Sequence, residues 1–430
     1  MLQILFFSIL TATVFYIAYG RFLQIYKNIS LGITENEKHN SFTGLKNMIL
    51  FALGQKKMFN RPVSGIFHLF IYLAFVLTQI ELLEIIVDGF TGEHRIFAHA
   101  LGSFYNFLIN SIEILSFLAF FSTFIFLYRR NILKLIRFQK PEMKGWPSVD
   151  ANLILMGEIL LIFGIFLMNS SDQILQNLDP QHYPSTGKLY ISSFIGASLF
   201  GQLPQDWLVW FERIGWWLHL FVIYGFILYL PFSKHLHIFL AFPNAYLSNQ
   251  ESRGKMSNIP VIENEARSMV GLPPKEMVEQ TEIFGAADIF QLPRRTLIGA
   301  YSCTECGRCT SVCPANLTGK KLSPRKIVMD IRDRMEEISN QVKPNVEYND
   351  GKNLFDYISQ EEIYACTSCN ACVEACPVLI NPLEPILAMR RYDILMNSGG
   401  PSEWMGMFNS LENTQSVWQI PESRDAWTKS

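Results

Sequence analysis

Two cysteine runs with the same spacing constrain this 430-residue chain more than any other feature. Each reads C-x₂-C-x₂-C-x₃-C-P, the spacing with which bacterial ferredoxins bind [4Fe–4S] clusters. The runs contain all eight cysteines of the protein, namely Cys303, Cys306, Cys309 and Cys313, then Cys366, Cys369, Cys372 and Cys376. Zinc would leave the middle cysteine of each run unused, and disulfides between residues three apart would be strained. The spacing therefore predicts two [4Fe–4S] clusters.

The fourth cysteine of each run is expected to bind the cluster of the other run. This rule assigns one cluster to Cys303, Cys306, Cys309 and Cys376, and the other to Cys366, Cys369, Cys372 and Cys313. Because the runs begin 63 residues apart, we expect a ferredoxin-like domain at 298–395 with an inserted helical region, including a helix within 322–343. Thiolate-bound clusters require a reducing compartment, which predicts a cytosolic location for this domain.

The first 243 residues have the composition of a membrane domain. Apolar residues make up 49% of the chain, and their excess lies in this half. Five apolar stretches approach the roughly 20 residues that a helix needs to cross a bilayer. They are Met1 to about Tyr26, 65–87, 104–128, 151–169 and 208–232. The predicted fold is therefore an all-α five-helix transmembrane bundle at 1–243, a linker at 244–297, a mostly helical dicluster domain and a tail at 396–430.

The distribution of Lys and Arg predicts the orientation of this bundle. These residues concentrate in the loops 27–61 and 129–144, whereas the loops 88–103 and 170–207 carry few of them. The positive-inside rule then places the N-terminus outside a bacterial-type inner membrane and the residues after the fifth helix in the cytosol. The short apolar stretch 189–203 is expected at the outer surface. A formal net charge of −2 argues against a nucleic-acid partner.

Histidines in the apolar half are candidate haem ligands. Ionisable residues are costly at membrane depth and are commonly functional there, and haem iron binds imidazole. His68, His219 and His237 are the main candidates, with His99 and His94 as alternatives for a remaining position. In one continuous helix, the 18 residues between His219 and His237 would put both on one face, about 27 Å apart. The simpler alternative for each is a histidine bonded to a carbonyl group.

Carboxylates in the same half are candidate proton relays. Glu81 and Glu84 lie on one face near the outer end of the second helix, and Glu113 lies in the third. Such groups suit proton transfer from a quinol, although ordinary interface carboxylates are the alternative, which we prefer for Asp88. Near the clusters, five cations are a candidate docking surface or a solvated face: Arg308, Lys320, Lys321, Arg325 and Lys326.

Several segments resemble known redox subunits. SCTECGRCTSVCPANLTGKKLSP (302–324), YACTSCNACVEACPVLINPLEPILAMRRY (364–392) and MFNSLENTQSVW (407–418) resemble iron–sulfur subunits of the heterodisulfide-reductase type. PFSKHLHIF (231–239) and GIFHLF (65–70) resemble the haem-b gamma subunit of respiratory nitrate reductase.

These resemblances imply roles for individual residues. His237, His219 and His68 would match three of four haem histidines, whereas Thr78 occupies the fourth position and leaves an outer haem to His99 or His94. Many iron–sulfur subunits of this type continue into CCG domains. The 54 residues after Cys376 contain no cysteine, so the resemblance implies a CCG domain on a separate subunit.

Together these features predict a membrane electron-transfer subunit. It would pass electrons between the quinone pool and a cytosolic CCG-type or dehydrogenase partner, through one or two haem b groups and two [4Fe–4S] clusters, with the substrate chemistry on the partner. The alternative is a haem-free membrane iron–sulfur protein that supplies electrons for metal-cofactor maturation. The direction of electron flow is open, because cluster potentials depend on their surroundings.

Overall fold

The computed structural model describes residues 1–34, 39–252, 254–256, 258–275, 283–342, 348–414, 416–417 and 425–428. Position 343 of the predicted helical region and positions 415 and 418 of the tail segment lie outside these residues. Within them all regular secondary structure is helical, and the one β-type pairing is an isolated bridge between Ile33 and Pro293. The predicted helical architecture is confirmed for this part of the chain.

The α-helices are numbered in chain order. They are α1 Leu2–Ser30, α2 Ser41–Asn47, α3 Pro62–Thr91, α4 Ile96–Leu101, α5 Ser103–Asn131, α6 Trp146–Leu178, α7 Tyr190–Ile195, α8 Gln205–Tyr229, α9 His237–Tyr246, α10 Pro260–Met269, α11 Arg294–Tyr301, α12 Pro314–Leu317, α13 Pro324–Ile338, α14 Gln360–Tyr364, α15 Ala371–Ala375, α16 Leu383–Asn397 and α17 Glu403–Thr414.

Five of these helices, α1, α3, α5, α6 and α8, are long and apolar enough to cross a membrane. They correspond to the five predicted stretches, and the expectation of a multi-pass membrane protein is confirmed. The apolar stretch 189–203 forms α7 and a π-helical turn at Gly196–Phe200. Together these are too short to span a bilayer.

The chain divides into two compact units. The first contains Met1–Lys27, Lys46–Pro243 and Tyr301–Cys306, and the second contains Asn28–Leu45, Asn244–Ala300 and Gly307–Ser430. The start of the first cysteine run thus belongs to the unit of the long helices, and the domain boundary at 298 stays a prediction.

In the first unit, glycines bring α6 and α8 into close contact. A Cβ on Gly215 would lie 2.5 Å from the Met168 nitrogen, and one on Gly164 would lie 3.0 Å from the His219 nitrogen. Small residues allow backbones to approach in this way in membrane bundles. The crossing therefore places His219 directly against α6.

In the second unit, α13 supplies much of the core. Ile327, Ile331 and Met335 recur every four residues on one face and are fully buried, as are Ile386 and Met389 of α16. The predicted helix within 322–343 is thus α13, which begins at Pro324.

The loop after α1 also belongs to the second unit. The Ile33 N–H donates to Leu292 O at 3.0 Å, and the Arg294 N–H donates to Ile33 O at 3.1 Å. The sequence alone did not indicate this packing, because it joins segments about 260 residues apart.

Candidate redox centres

The two cysteine runs repeat one local geometry. In the first run the Glu305 N–H donates to Cys303 Sγ at 3.4 Å, and in the second the Ser368 N–H donates to Cys366 Sγ at 3.4 Å. Glu305 and Ser368 have left-handed backbones, with φ of 54° and 55°. This conformation is sparsely populated outside glycine and is found at functional sites. N–H groups directed at sulfur tune the potential of a bound cluster.

The structure brings together the four thiols predicted for the second cluster. Cys313 interacts electrostatically with Cys366 and Cys369, and Cys372 interacts with all three. Burial, followed by the neighbouring thiols, raises the pKa of Cys372 to about 12. All eight cysteines are free of disulfides. This group of thiols fits a [4Fe–4S] cluster, whose binding would displace the thiol protons.

The ligands predicted for the first cluster are divided between the two units. Cys303 and Cys306 belong to the first unit, and Cys309 and Cys376 belong to the second. Within the second unit, Cys376 Sγ accepts the Ile380 N–H at 3.3 Å. The assignment of these four cysteines to one cluster stays a prediction.

Arg390 of α16 supports the second run, a role that the sequence did not indicate. Its guanidinium donates to Cys366 O and, at 2.8 Å, to Ile363 O, and it lies 5.7 Å from the ring centroid of Tyr364. Arg390 therefore holds the backbone that begins the cysteine run.

Only some of the five cations near the clusters are exposed, so neither a docking surface nor a solvated face contains the whole set. Arg308 and Arg325 are buried. Lys321 and Lys326 form ion pairs within the second unit.

His219 and His237 share the bonding pattern of metal-binding histidines. His219 Nδ1 lies 3.1 Å from Leu161 O, and His237 Nδ1 lies 3.0 Å from Lys234 O. Because a carbonyl oxygen can only accept, Nδ1 is the donor and Nε2 carries the lone pair. Such a bond fixes the tautomer and orientation of a ligating imidazole. These carbonyl bonds are the ones that the simpler alternative predicts, and because they leave the lone pair on Nε2 they are also compatible with axial ligation of haem iron.

The other histidines have different surroundings. His68 Nδ1 lies 3.1 Å from Gln55 Oε1. His99 is exposed in α4, and His94 Nε2 lies 2.9 Å from Asp172 Oδ1. The Thr78 hydroxyl donates to Phe75 O at 3.1 Å.

The predicted shared helical face of His219 and His237 is wrong. Helix α8 ends at Tyr229, and two 3₁₀ turns, Leu230–Phe232 and Lys234–Leu236, precede α9. Pro231 cannot continue an α-helix, and Ser233 is extended with φ of −121° and ψ of 149°. The 27 Å spacing of a continuous helix therefore does not apply.

A buried ionic network surrounds the turn before His237. This Lys234 network comprises Asp150, Tyr229, Ser233, Lys234 and Glu305. Asp150 accepts from the Tyr229 hydroxyl at 2.5 Å, the Ser233 hydroxyl at 2.6 Å and the Lys234 N–H at 3.0 Å. Lys234 Nζ pairs with Glu305. Desolvation lowers the pKa of Lys234, and Glu305 opposes that shift.

This network ties the first cysteine run to the turn. Glu305 lies between Cys303 and Cys306 and bonds to Lys234, which precedes His237. The Ser302 hydroxyl donates to Leu240 O at 3.0 Å, beyond His237. The segment carrying Cys303 is therefore attached on both sides of His237.

A second buried network lies near the predicted outer ends of the helices. This Arg95 network comprises Glu81, Glu84, His94, Arg95, Tyr105, Asn169, Asp172 and Glu212. Arg95 donates to Asn169 Oδ1 at 2.5 Å, Asp172 Oδ2 at 3.3 Å and the Tyr105 hydroxyl at 3.3 Å. Glu84 accepts from the Tyr105 hydroxyl at 2.7 Å.

Two carboxylates of the Arg95 network, Glu81 and Glu212, are buried without hydrogen bonds in the described structure. Glu81 is 1% exposed and Glu212 is 0% exposed. The nearest cations are Arg95, 3.9 Å from Glu81, and Arg213, 3.2 Å from Glu212. The sequence analysis missed Glu212, although an ionisable residue inside a predicted span was the available signal.

Glu113 has the contacts of a helix cap. Its two oxygens accept the N–H groups of Ile191 at 2.8 Å and Ser192 at 3.1 Å, at the start of α7. These bonds explain the burial of Glu113 without a role in proton transfer. Asp88 similarly accepts the N–H groups of Arg95 and Ile96 at the start of α4.

Comparison with known proteins identifies a dicluster domain and similarity to oxidoreductases. Residues 302–380 match the family model of the 4Fe-4S dicluster domain. The chain is 28% identical over 462 aligned positions to the probable iron-sulfur-binding oxidoreductase FadF of Bacillus subtilis, covering 98% of this chain and 61% of the relative. It is 26% identical over 397 positions to the EtfAB:quinone oxidoreductase of Syntrophomonas wolfei, covering 86% and 52%.

Part of the chain is also similar in sequence to a protein related to heterodisulfide reductases. The chain is 31% identical over 94 positions to a protein of Archaeoglobus profundus described as like a heterodisulfide reductase subunit, covering 21% of this chain and 38% of the relative. No solved structure matches the chain. The chain spans between half and three-fifths of the length of its two long relatives. This protein thus carries a 4Fe-4S dicluster domain and, along most of its length, is similar to iron–sulfur oxidoreductases.

Proposed function

We propose that this chain passes electrons between the quinone pool and a cytosolic partner, through haem b in its membrane helices and two [4Fe–4S] clusters. One observation carries the proposal: the segment bearing Cys303 is bonded on both sides of His237. A cluster ligand and a haem ligand would thereby be held close in one compact unit, as electron transfer between them requires.

The chain's own residues fit both cofactors. The cysteines would hold the clusters in the crossed sets predicted from their spacing, and His219, His237 and His68 would hold haem. When bound, these groups supply one-electron redox chemistry. The carbonyl bonds at Nδ1 of His219 and His237 orient each ring for ligation.

The substrate and partner follow from the relatives and the membrane pattern. The name of the Syntrophomonas relative couples EtfAB with quinone, which supports quinone as the membrane substrate and a second electron carrier as partner. That carrier would be a dehydrogenase-type or CCG-type iron–sulfur protein.

Reduced-minus-oxidised absorption of the purified full chain tests the proposal. We expect a haem b alpha band that is lost or shifted in His237→Ala and His219→Ala, and unchanged in His182→Ala, which alters an exposed histidine. Iron–sulfur absorption without any porphyrin would contradict the haem part and favour the maturation alternative.

A further inference from the structure

His94 connects the Arg95 network to the surface. Its side chain is 18% exposed, whereas its partner Asp172 is 0% exposed. Glu212, also fully buried, interacts electrostatically with both residues. Three elements meet here, because His94 follows α3, Asp172 lies on α6 and Glu212 lies on α8.

We propose that His94 carries protons between the buried Glu212 carboxylate and the aqueous phase at the predicted outer face, with Asp172 as its positioning residue. The inference rests on the proposed quinone chemistry. It names a proton path for that chemistry, and it assigns His94 to this path instead of to haem.

Asp172 is built to hold one tautomer of His94. Its carboxylate accepts from His94 Nε2 at 2.9 Å, from Gln176 Nε2 at 2.9 Å and from Arg95 at 3.3 Å. With Arg95 beside it, Asp172 stays ionised and keeps the proton on Nε2. His94 Nδ1 is then the nitrogen that gains and loses a proton.

Among the ionisable groups at this site, His94 is the one suited to carry protons. Arg95 and Arg213 stay charged and cannot release a proton. The Tyr183 ring lies 5.2 Å from the His94 ring, and burial raises the pKa of its hydroxyl above the ordinary range. Asp88 and Asp172 also face His94, and both accept hydrogen bonds. The imidazole of His94 can both accept and release a proton.

Quinone reduction requires a source of electrons and a source of protons. Reduction of a quinone takes two electrons and two protons, and the electrons would come from the reduced haem and clusters that the histidines and cysteines would hold, leaving those groups oxidised. The quinone gains both protons and leaves as quinol. Glu212 supplies those protons, and His94 returns protons to Glu212 from the outer phase. Quinol oxidation runs the same steps in reverse.

The test uses the full chain in detergent, reduced with stoichiometric dithionite and mixed rapidly with a soluble naphthoquinone. Haem and cluster reoxidation is followed by absorption. Ferricyanide, which takes electrons without protons, is the parallel oxidant. We expect His94→Ala to slow the quinone reaction about 10- to 100-fold, with the ferricyanide reaction unchanged. Added imidazole should restore much of the quinone rate, measured against wild type in the same imidazole.

A second variant and a matched control complete the test. Asp172→Asn should slow the quinone reaction less than His94→Ala and shift its pH profile. His182→Ala should match wild type, since His182 forms an exposed pair with Asp179 at 3.0 Å. A wild-type rate in His94→Ala, or a slow rate that imidazole does not restore, would overturn the proton path. A wild type that reacts with ferricyanide but not with quinone would instead overturn the proposed function.

Discussion

The Lys234 network and the Arg95 network lie at opposite ends of the same helix pair. Helix α6 carries Asp150 near its start and Asp172 near its end, and α8 carries Glu212 near its start and Tyr229 at its end. Asp150 accepts three hydrogen bonds and Glu305 pairs with Lys234. At the other end, Glu81 and Glu212 are buried without a hydrogen bond in the described structure, and each has one cation near it, Arg95 at 3.9 Å and Arg213 at 3.2 Å.

This difference indicates that the Lys234 network stabilises the structure, whereas we propose that Glu212 of the Arg95 network has a role in function. A buried polar network with its bonds satisfied holds one geometry, whereas an unbonded buried carboxylate costs stability and is retained for another reason. We therefore expect changes in the Lys234 network to alter stability and changes at Glu212 to alter proton transfer.

The largest expected effect follows Lys234→Met. The change would leave two buried carboxylates, Asp150 and Glu305, without their cation, at a cost of about 3–5 kcal/mol in the free energy of unfolding. SDS titration of the full chain in mixed micelles measures this loss. Lys255→Met is the control, because that exposed pair with Glu251 should contribute under about 1 kcal/mol. An equal loss of unfolding free energy in both variants would show that the buried Lys234 network stabilises the protein no more than an exposed ion pair does.

Asp150→Asn should cost about 2–3 kcal/mol. It weakens charge-assisted bonds with Tyr229, Ser233 and Lys234 and turns an acceptor into a donor. The same titration measures the change, and cluster electron paramagnetic resonance reports whether the segment bearing Cys303 moves. A variant as stable as wild type would show that this network does not anchor the turn.

Gly215→Ala tests the crossing between the two networks. The new Cβ would lie 2.5 Å from the Met168 nitrogen, so the helices must separate at a cost of about 1–3 kcal/mol. We also expect a shift in the haem absorption that we propose for His219. Gly225→Ala, on the same helix with no heavy atom within 4 Å, should change stability by less than about 0.5 kcal/mol.

Glu212→Gln should have the smallest effect on stability, within about 1 kcal/mol, because it removes a buried charge that accepts no hydrogen bond. Reoxidation of the reduced chain by quinone should nevertheless slow about 10-fold or more. A loss of stability as large as that of Asp150→Asn would mean that Glu212 is structural and that the two networks are alike.

The sequence by itself determined the local features of this protein. Five apolar stretches predicted the five long helices, because the length and composition of a span are properties of consecutive residues. The cysteine spacing predicted the dicluster domain for the same reason, and the two runs have matching turns at Glu305 and Ser368. The histidines were identified as candidates from their position in the spans.

Only the tertiary structure decided which polar groups meet. Lys234 and Glu305 are 71 residues apart, and His94 and Asp172 are 78 apart. Glu113, predicted as a proton relay, has the bonds of a cap for α7. Glu212, which the sequence analysis did not single out, is buried without a hydrogen bond in the described residues. A carboxylate's role depends on the donors that other helices bring to it, and periodicity along one helix carries no information about those donors.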